Sequence, residues 1–431
     1  MTTQTSLTLG PNEPIGDAIH PALCDAFRGL DEHGVAWALL RGRDELRRPR
    51  GDVDLLVDAA EWRLDSVLLA AGFKRLAARG HGSHRFYVLY DADDDCWIKL
   101  DVVTDVTFGR YQQFETSLAP GLLARRTGVG TVAVLSPHDA FWHLLLHHLL
   151  SQGEVPERRR AELRLLALDV TEGGPLEDVV RAVHPRVASR LRAAARDGNW
   201  EVVANTGRTL RRAWYLRGGL GLALRSARRR LQRHRAPHPE ARQGLTVAIL
   251  GPDGAGKTTL ARALASSTAL PARYVYLGVW RQSRFENQLR RVLGARLAVR
   301  LVSLVGKAVV IRGQRRLGRL VLLDRYTADA DLPSDDLDLR ARISATLVRR
   351  TNAQPDLIIL LDGPVELMYE RKGEHGVAEL QLARDAYRAM GERFPQMVVV
   401  DAALPADDVR RAATRLVWDA WSRPRQAAGC R

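Results

Sequence analysis

Cysteine and long apolar runs are scarce in this chain of 431 residues. Its three cysteines, Cys24, Cys96 and Cys430, are far apart, odd in number and without metal-ligand spacing, which argues against a disulfide framework and a zinc site. No uncharged apolar run approaches the roughly 20 residues needed to cross a bilayer. Residues 1–14 contain no basic segment followed by an apolar one, so no signal peptide is expected. These absences predict a cytoplasmic protein.

Lysine is also scarce. Only five of the 65 basic residues are lysines, and the remaining arginines are scattered through a chain rich in alanine and leucine with a net charge of +15. Such an imbalance is as easily a compositional bias as a recognition surface, so nucleic acid is not the expected partner. A hydrophobic content of 46% and a charged content of 27% are typical of globular proteins, and the length predicts two or three domains.

One stretch carries most of the functional information. From Gly251 to Thr259 the chain reads Gly-Pro-Asp-Gly-Ala-Gly-Lys-Thr-Thr, after a strand-like run at residues 245–250 and before a helical pattern at 257–266. In this pattern the glycines let backbone N–H groups and a helix N-terminus face one anion, while Lys257 adds a charge and the Thr258 hydroxyl can ligate magnesium. The stretch predicts a nucleoside-triphosphate site. Its predicted nucleotide-binding residues are Gly251, Asp253, Gly254, Ala255, Gly256, Lys257, Thr258 and Thr259.

Strands and helices alternate from residue 245 onward, which predicts a doubly wound parallel sheet. Three of the strand patterns end in an acid, namely Asp324, Asp362 and Asp401. Ligands of such sheets bind beyond the carboxyl ends of the strands, so we expect Asp324 and the adjacent Arg325 to point into the site.

Residues 245–421 resemble thymidylate kinase and its nucleoside-monophosphate kinase relatives. The resemblance rests on the phosphate loop, on Asp324-Arg325-Tyr326, on residues 355–364, on Glu370-Arg371-Lys372 and on Val400-Asp401-Ala402. It implies a P-loop fold and a kinase that uses ATP and Mg²⁺. The implied roles are ATP binding by Lys257 and the loop amides, magnesium binding by Thr258 with Asp362 or Asp324, contact of Asp253 with the acceptor's sugar or hydroxyl, and binding of the acceptor phosphate by Arg325.

Phosphoryl transfer requires cationic cover over the transferred group, which this family supplies from the phosphate loop or the lid. The loop here contains no arginine, so Arg371 is the predicted lid cation and Lys372 the second choice. The family's Arg-Glu-Pro-Gly segment, which helps to seat the monophosphate, is not reproduced at residues 276–284. The acceptor therefore stays open between a nucleoside monophosphate and a related phosphorylated or sugar-like compound.

An Asp-x-Asp strand marks the N-terminal part. Asp52 and Asp54 alternate with apolar residues and share one strand face, where two acids favour a divalent cation between them. With a preceding strand and Gly42, and with Asp101 in a later strand, this arrangement resembles the minimal nucleotidyltransferases of the DNA polymerase beta superfamily. The resemblance implies that Asp52, Asp54 and Asp101 hold two magnesium ions. The loop carries Arg43 where that family usually has serine.

The resulting prediction is an α/β protein: a C-terminal doubly wound parallel sheet of P-loop type joined to an N-terminal α+β nucleotidyltransferase-like domain with a helical cap. We expect the nucleotidyltransferase-like domain at residues 1–135, the cap at 136–205, a basic connector at 206–243 and the kinase-like domain at 244–424. The connector is either a helix packed between domains or a segment that contacts an anionic membrane surface or nucleic acid. Homodimerisation is a further possibility.

Two other functions compete with the kinase. One is a nucleotidyltransferase whose P-loop domain only senses nucleotide. The other is a basic ATP-binding protein that associates with nucleic acid or a membrane surface. In all three cases a nucleotide is the expected partner, and for both enzymes a small-molecule acceptor is expected as well.

Overall fold

The computed structural model describes residues 19–41, 46–49, 51–76, 78–170, 173–233, 244–276, 295–324, 326, 354–373 and 375–423, with only the backbone of 295–304. The chain forms two compact units. The division falls after Arg235, and the short segment Tyr90–Asp95 groups with the second unit. The four-part subdivision predicted from the sequence is finer than this and stays a prediction.

The N-terminal unit is built on a seven-stranded mixed sheet with the order β3-β4-β5-β2-β1-β9-β8. Its first elements are α1 (Pro21–Glu32), β1 (Ala36–Arg41), β2 (Asp52–Asp58), α2 (Glu61–Ala70), β3 (Lys74–Leu76), β4 (His84–Asp91) and β5 (Cys96–Val103). They continue with the hairpin β6 (Thr107–Phe108) and β7 (Phe114–Glu115), then α3 (Ala119–Ala124), β8 (Thr127–Val129) and β9 (Val132–Val134).

Both faces of this sheet are covered, as the alternation along its strands requires. Trp37 and Leu39 of β1 pack with α1 and α2 in one core, whereas Ala38 and Leu40 belong to a second core under the helices that follow. Strand β2 lies centrally, antiparallel to β1 and parallel to β5. Residues on β1, β2 and β5 are therefore neighbours although they are far apart in sequence.

Five helices complete the unit: α4 (Pro137–Ser151), α5 (Glu157–Asp169), α6 (Pro175–Val183), α7 (Val187–Arg196) and α8 (Trp200–Arg233). Helices α6 and α7 are separated at His184. His184 precedes Pro185 and adopts an extended conformation (φ −156°, ψ 105°), as a residue before proline favours, and the helix ends there.

Helix α8 runs through residues 205 and 206, where the sequence analysis placed the boundary between cap and connector, and that boundary stays a prediction. The first part of the predicted connector is the continuation of one helix, which bends at Gly219, where φ is 50° and ψ is −146°. No helix within the described ranges is both long and apolar enough to span a membrane.

The C-terminal unit contains a five-stranded sheet with the order β11-β12-β10-β13-β14, in which every pairing is parallel. Its elements are β10 (Thr246–Leu250), α9 (Lys257–Ser267), β11 (Ala272–Tyr276), α10 (Ala295–Arg316), β12 (Leu320–Asp324), β13 (Leu357–Asp362), α11 (Val365–Lys372), α12 (Val377–Ala389), a 3₁₀ turn (Met390–Glu392), β14 (Met397–Asp401) and α13 (Ala406–Ser422). The expected parallel α/β arrangement is present.

Strand β10 lies at the centre, with β12 on one side and β13 on the other. The connection from β10 leads to β11 on one side, whereas the connection from its neighbour β13 leads to β14 on the other side. The carboxyl ends of β10 and β13 are therefore the switch point where ligands bind in such sheets. The phosphate-loop sequence occupies this position, between β10 and α9. The fold therefore directs it toward the ends of β12 and β13.

Two glycines within helices, Gly207 and Gly306, differ in the space around them. A Cβ atom at Gly207 of α8 would lie 2.7 Å from Leu149 Cδ2 of α4, whereas one at Gly306 of α10 would have no atom within 4 Å. We expect Gly207→Ala to lower the free energy of unfolding by about 1 kcal/mol, because overpacking outweighs the gain in helix propensity. Gly306→Ala should instead raise it by about 0.5–1 kcal/mol. Calorimetry of both variants checks this, and stabilisation by Gly207→Ala would contradict the packing of α8 on α4.

Candidate functional site

The phosphate loop folds as its glycines require. Gly254 has φ +88° and Gly256 has φ +92°, a region that side chains rarely adopt. A Cβ atom at Gly254 would lie 2.3 Å from the Met368 carbonyl oxygen, whereas one at Gly256 would meet no atom of the described residues within 4 Å. Gly254 thus allows close backbone packing, and Gly256 leaves open space in front of the N-terminus of α9. That space suits an anion.

Lys257 is the first residue of α9, and its side chain is buried beneath the loop. Its Nζ atom donates hydrogen bonds to the carbonyl oxygens of Gly251 (2.7 Å) and Pro252 (2.8 Å) and lies 3.3 Å from Asp253 Oδ1. The ammonium is therefore held against the loop that it is predicted to serve. A phosphate entering the loop would meet this charge directly.

Asp324 lies at the end of β12 and is fully buried. Its Oδ2 atom accepts hydrogen bonds from Thr258 Oγ1 (2.7 Å) and Tyr274 Oη (2.8 Å). Burial, together with the hydrogen bond to Asp324, raises the pKa of Tyr274 to about 12, so the phenol keeps its proton and donates. The structure thus brings together the predicted pair Thr258 and Asp324, and it adds Tyr274, which the sequence analysis missed.

This pair fits a magnesium ion. The Oδ1 atom of Asp324 is buried without a hydrogen-bond partner in the described part of the chain. A buried carboxylate oxygen without a partner is unfavourable, and a hydroxyl beside a carboxylate supplies the hard oxygen ligands that Mg²⁺ prefers. Tyr274 and Thr258 are neutral donors, so their hydrogen bonds do not neutralise the negative charge of Asp324.

Asp362, the second predicted magnesium ligand, is placed differently. Both carboxylate oxygens accept hydrogen bonds from arginines of α12, with Arg384 Nε at 2.6 Å from Oδ1 and Arg388 Nε at 3.0 Å from Oδ2. Burial alone would raise the pKa of Asp362, but these hydrogen bonds lower it. Its charge is therefore already neutralised, and the structure favours Asp324 over Asp362 as a metal ligand.

A cleft of roughly 710 Å³ opens in front of the phosphate loop. Its walls are the loop residues Asp253, Gly254, Ala255, Gly256, Lys257, Thr258 and Thr259, with Tyr276, Arg371, Lys372, Ala402 and Arg410 among the others. The volume is in the range of small-ligand sites. All predicted nucleotide-binding residues except Gly251 thus line one cleft, and Gly251 contributes the carbonyl that holds Lys257.

The predicted lid cations reach this cleft. Arg371 donates a hydrogen bond to the Ala402 carbonyl oxygen at 3.1 Å, and Lys372 Nζ lies 3.5 Å from Asp253 Oδ2. His375 Nε2 lies 3.6 Å from the same oxygen. Asp253 of the phosphate loop thus contacts both Lys372, the last residue of α11, and His375, which follows that helix. Arg325, the predicted ligand of the acceptor phosphate, lies outside the described residues.

The three acids of the N-terminal unit also come together, but each faces a base. Strand register sets Asp54 beside Asp101 and Asp52 beside Lys99. Arg41 of β1 binds Asp54 through two hydrogen bonds (2.6 and 3.0 Å), Lys99 Nζ lies 2.8 Å from Asp52, and His84 Nδ1 lies 2.8 Å from Asp101. Arg41 and Lys99 thus place positive charge beside two of the three acids predicted to hold a divalent metal.

Helix α4 supports this cluster from one side. Arg41 donates a hydrogen bond to His147 Nε2 at 3.1 Å. Burial, with Arg41 nearby, lowers the pKa of His147 to about 2, so the ring is neutral and can accept. Within the described ranges, no group of three or more His, Cys, Asp and Glu residues is arranged to hold a metal ion. Metal binding by Asp52, Asp54 and Asp101 stays a prediction.

Comparison with known proteins finds thymidylate kinases among the relatives of this chain. No family model matches the chain. A probable thymidylate kinase of Thermococcus onnurineus is 30% identical over 199 residues, which is 40% of this chain and 96% of that protein. Thymidylate kinases of Xanthomonas euvesicatoria and Xanthomonas campestris are 31% and 33% identical, each over 40% of this chain and 83% of the relative. These matches leave the nucleotidyltransferase resemblance without support.

We expect loss of the ion pair between Arg41 and Asp54 to lower the free energy of unfolding substantially. Asp54 is buried, so Arg41→Met should lower the free energy of unfolding by about 3–5 kcal/mol because it leaves an uncompensated carboxylate. The matched control is Arg28→Met, which removes an exposed pair with Asp25 and should cost less than about 1 kcal/mol. Denaturant unfolding measures both. Equal losses of stability in the two variants would contradict the pairing of Arg41 with Asp54. Recovery of the stability of Arg41→Met on addition of Mg²⁺ would reveal a latent metal site.

Proposed function

Because the chain belongs to the thymidylate kinase family, we propose that it transfers the γ-phosphoryl group of ATP to a nucleoside monophosphate or a related phosphorylated or sugar-like acceptor. At the coarser level the chain is a P-loop phosphotransferase, as its similarity to thymidylate kinases shows. The observation that supports the proposal most is the arrangement of Lys257, Thr258 and Asp324 at the switch point of the C-terminal sheet.

In this proposal the phosphate loop binds the nucleotide phosphates, and Thr258 with Asp324 binds the metal ion. The N–H groups of the loop and the N-terminus of α9 bind the phosphate oxygens, and Lys257 exchanges its hydrogen bonds to Gly251 and Pro252 for bonds to phosphate. Thr258 and Asp324 hold Mg²⁺. When bound, the ion neutralises charge on the phosphate oxygens.

The reaction breaks the bond between the γ-phosphorus and its bridging oxygen to the β-phosphate and forms one to an acceptor oxygen. Negative charge on the transferred group requires cations around it. Arg371 and Lys372 lie on the cleft wall and are the proposed source of that charge. In the same proposal Asp253 exchanges Lys372 and His375 for the acceptor, and Arg325 binds the acceptor phosphate.

An assay with labelled ATP and panels of nucleoside monophosphates and sugars identifies the acceptor. We expect one compound of the panel to become phosphorylated, with Lys257→Ala lowering the rate by roughly 10²–10³-fold through loss of transition-state charge stabilisation. Lys74→Ala, on strand β3 of the other unit, is the matched control and should leave the rate unchanged.

The same assay separates the competing functions through Asp52→Ala. Phosphorylation that survives Asp52→Ala supports the kinase. If pyrophosphate is released and Asp52→Ala abolishes this release, the activity belongs to the N-terminal unit. If ATP binds but no acceptor is turned over, the proposal that the protein is an enzyme is contradicted.

Tyr274 provides a sharper test of the magnesium site. Tyr274→Phe removes one of the two hydrogen bonds that fix Asp324 and should raise the Mg²⁺ concentration for half-maximal activity roughly tenfold, with a smaller change in kcat at saturating Mg²⁺. Tyr369→Phe, which alters a half-exposed phenol on α11, is the control. A fall in kcat with an unchanged Mg²⁺ requirement would show that Asp324 does not hold the metal.

A further inference from the structure

Helix α8 carries an exposed apolar stripe that the proposed kinase activity does not use. After the bend at Gly219, the side chains of Leu220, Leu224 and Leu231 are 84%, 69% and 55% exposed. At 100° per residue these positions and Ala227 fall within one narrow arc of the helix. We refer to residues 220–233 as the distal α8 segment and to this arc as its leucine stripe.

The opposite face of the distal α8 segment is fixed to the N-terminal unit. Leu222 is buried in the core, Arg225 donates a hydrogen bond to the Gln113 carbonyl oxygen (3.1 Å), and Arg233 donates one to the Gly80 carbonyl oxygen (3.2 Å). Arg229 lies between them and contacts Gln112 and Glu115. The segment is therefore held in place, and the leucine stripe faces outward because of how the helix packs.

Basic residues flank the stripe. By helix geometry, Arg228 lies on one side of the leucines and Arg230 on the other, and both are exposed. From Val202 to Arg233 the helix contains no Asp or Glu. An exposed apolar centre between arginines, without any acid, is typical of helices that lie in the interface of an anionic bilayer. There the leucines enter the acyl boundary and the long arginine side chains reach the headgroups.

We propose that the leucine stripe docks this protein on an anionic lipid surface. The charge pattern favours lipid over the other candidates. A second copy apposed through the same face would bring arginines against arginines with no acid to compensate. A nucleic acid would be bound through its phosphates, which would leave three leucines that are more than half exposed without an apolar partner. Only a surface that is both apolar and negatively charged matches both properties.

Co-sedimentation of the full chain with phosphatidylcholine vesicles, with and without phosphatidylserine, tests the proposal. We expect binding to the phosphatidylserine vesicles that weakens as salt is added. Leu220→Ser with Leu224→Ser should lower the vesicle partition coefficient roughly tenfold or more. The matched control is Leu165→Ser with Leu168→Ser on α5, where the two leucines are 66% and 59% exposed, and it should bind like the parent.

A second variant separates charge from apolar contact. Arg228→Gln with Arg230→Gln should reduce the preference for phosphatidylserine while leaving the helix content unchanged by circular dichroism. The proposal is overturned if Leu220→Ser with Leu224→Ser binds vesicles as well as the parent does. It is also overturned if the parent does not bind vesicles but forms a dimer, seen by light scattering, that this double variant dissociates.

Discussion

The binding of the Lys257 ammonium to its own loop is the interaction on which the C-terminal site depends. The carbonyls of Gly251 and Pro252 hold the charge beneath the loop, and the positive φ angles of Gly254 and Gly256 let the backbone fold around it. A buried ammonium without such partners would be costly. These contacts hold the loop around its own cation, so in the proposed function a phosphate would replace carbonyl oxygens around Lys257 in a loop that is already folded.

The buried carboxylates of this chain differ in what neutralises them, and this difference separates the proposed metal ligand Asp324 from carboxylates in structural ion pairs. Among the described residues, Asp324 receives side-chain hydrogen bonds from the neutral hydroxyls of Thr258 and Tyr274. Asp54 and Asp362 are bound by arginines, which satisfy both charge and geometry. The place of an acidic residue along its strand predicts where its carboxylate lies in the fold. The charge of the side chains around that carboxylate then determines what it can bind.

Local patterns predicted the elements well, because apolar alternation and the phosphate-loop spacing are properties of neighbouring residues. Strand β10 and helix α9 lie within a residue of their predicted bounds. The partners of the predicted acids could not be obtained in this way. Arg41 reaches Asp54 through strand register, Tyr274 reaches Asp324 from an adjacent parallel strand, and both contacts depend on the order of strands in the sheet. The spacing of Arg384 and Arg388 was a visible signal, since residues four apart share a helix face.

The arginine-rich composition has a structural explanation that the net charge conceals. Arg233 binds a main-chain carbonyl with its guanidinium, and Arg181 and Arg192 both approach the fully buried Glu177. A planar guanidinium offers five donors in a fixed geometry, which suits such internal contacts better than an ammonium does. The arginines that line the core side of α8 are therefore part of its packing. The outward arginines, Arg228 and Arg230, differ because they flank exposed apolar side chains. The position of an arginine and the residues around it therefore indicate its function better than the net charge does.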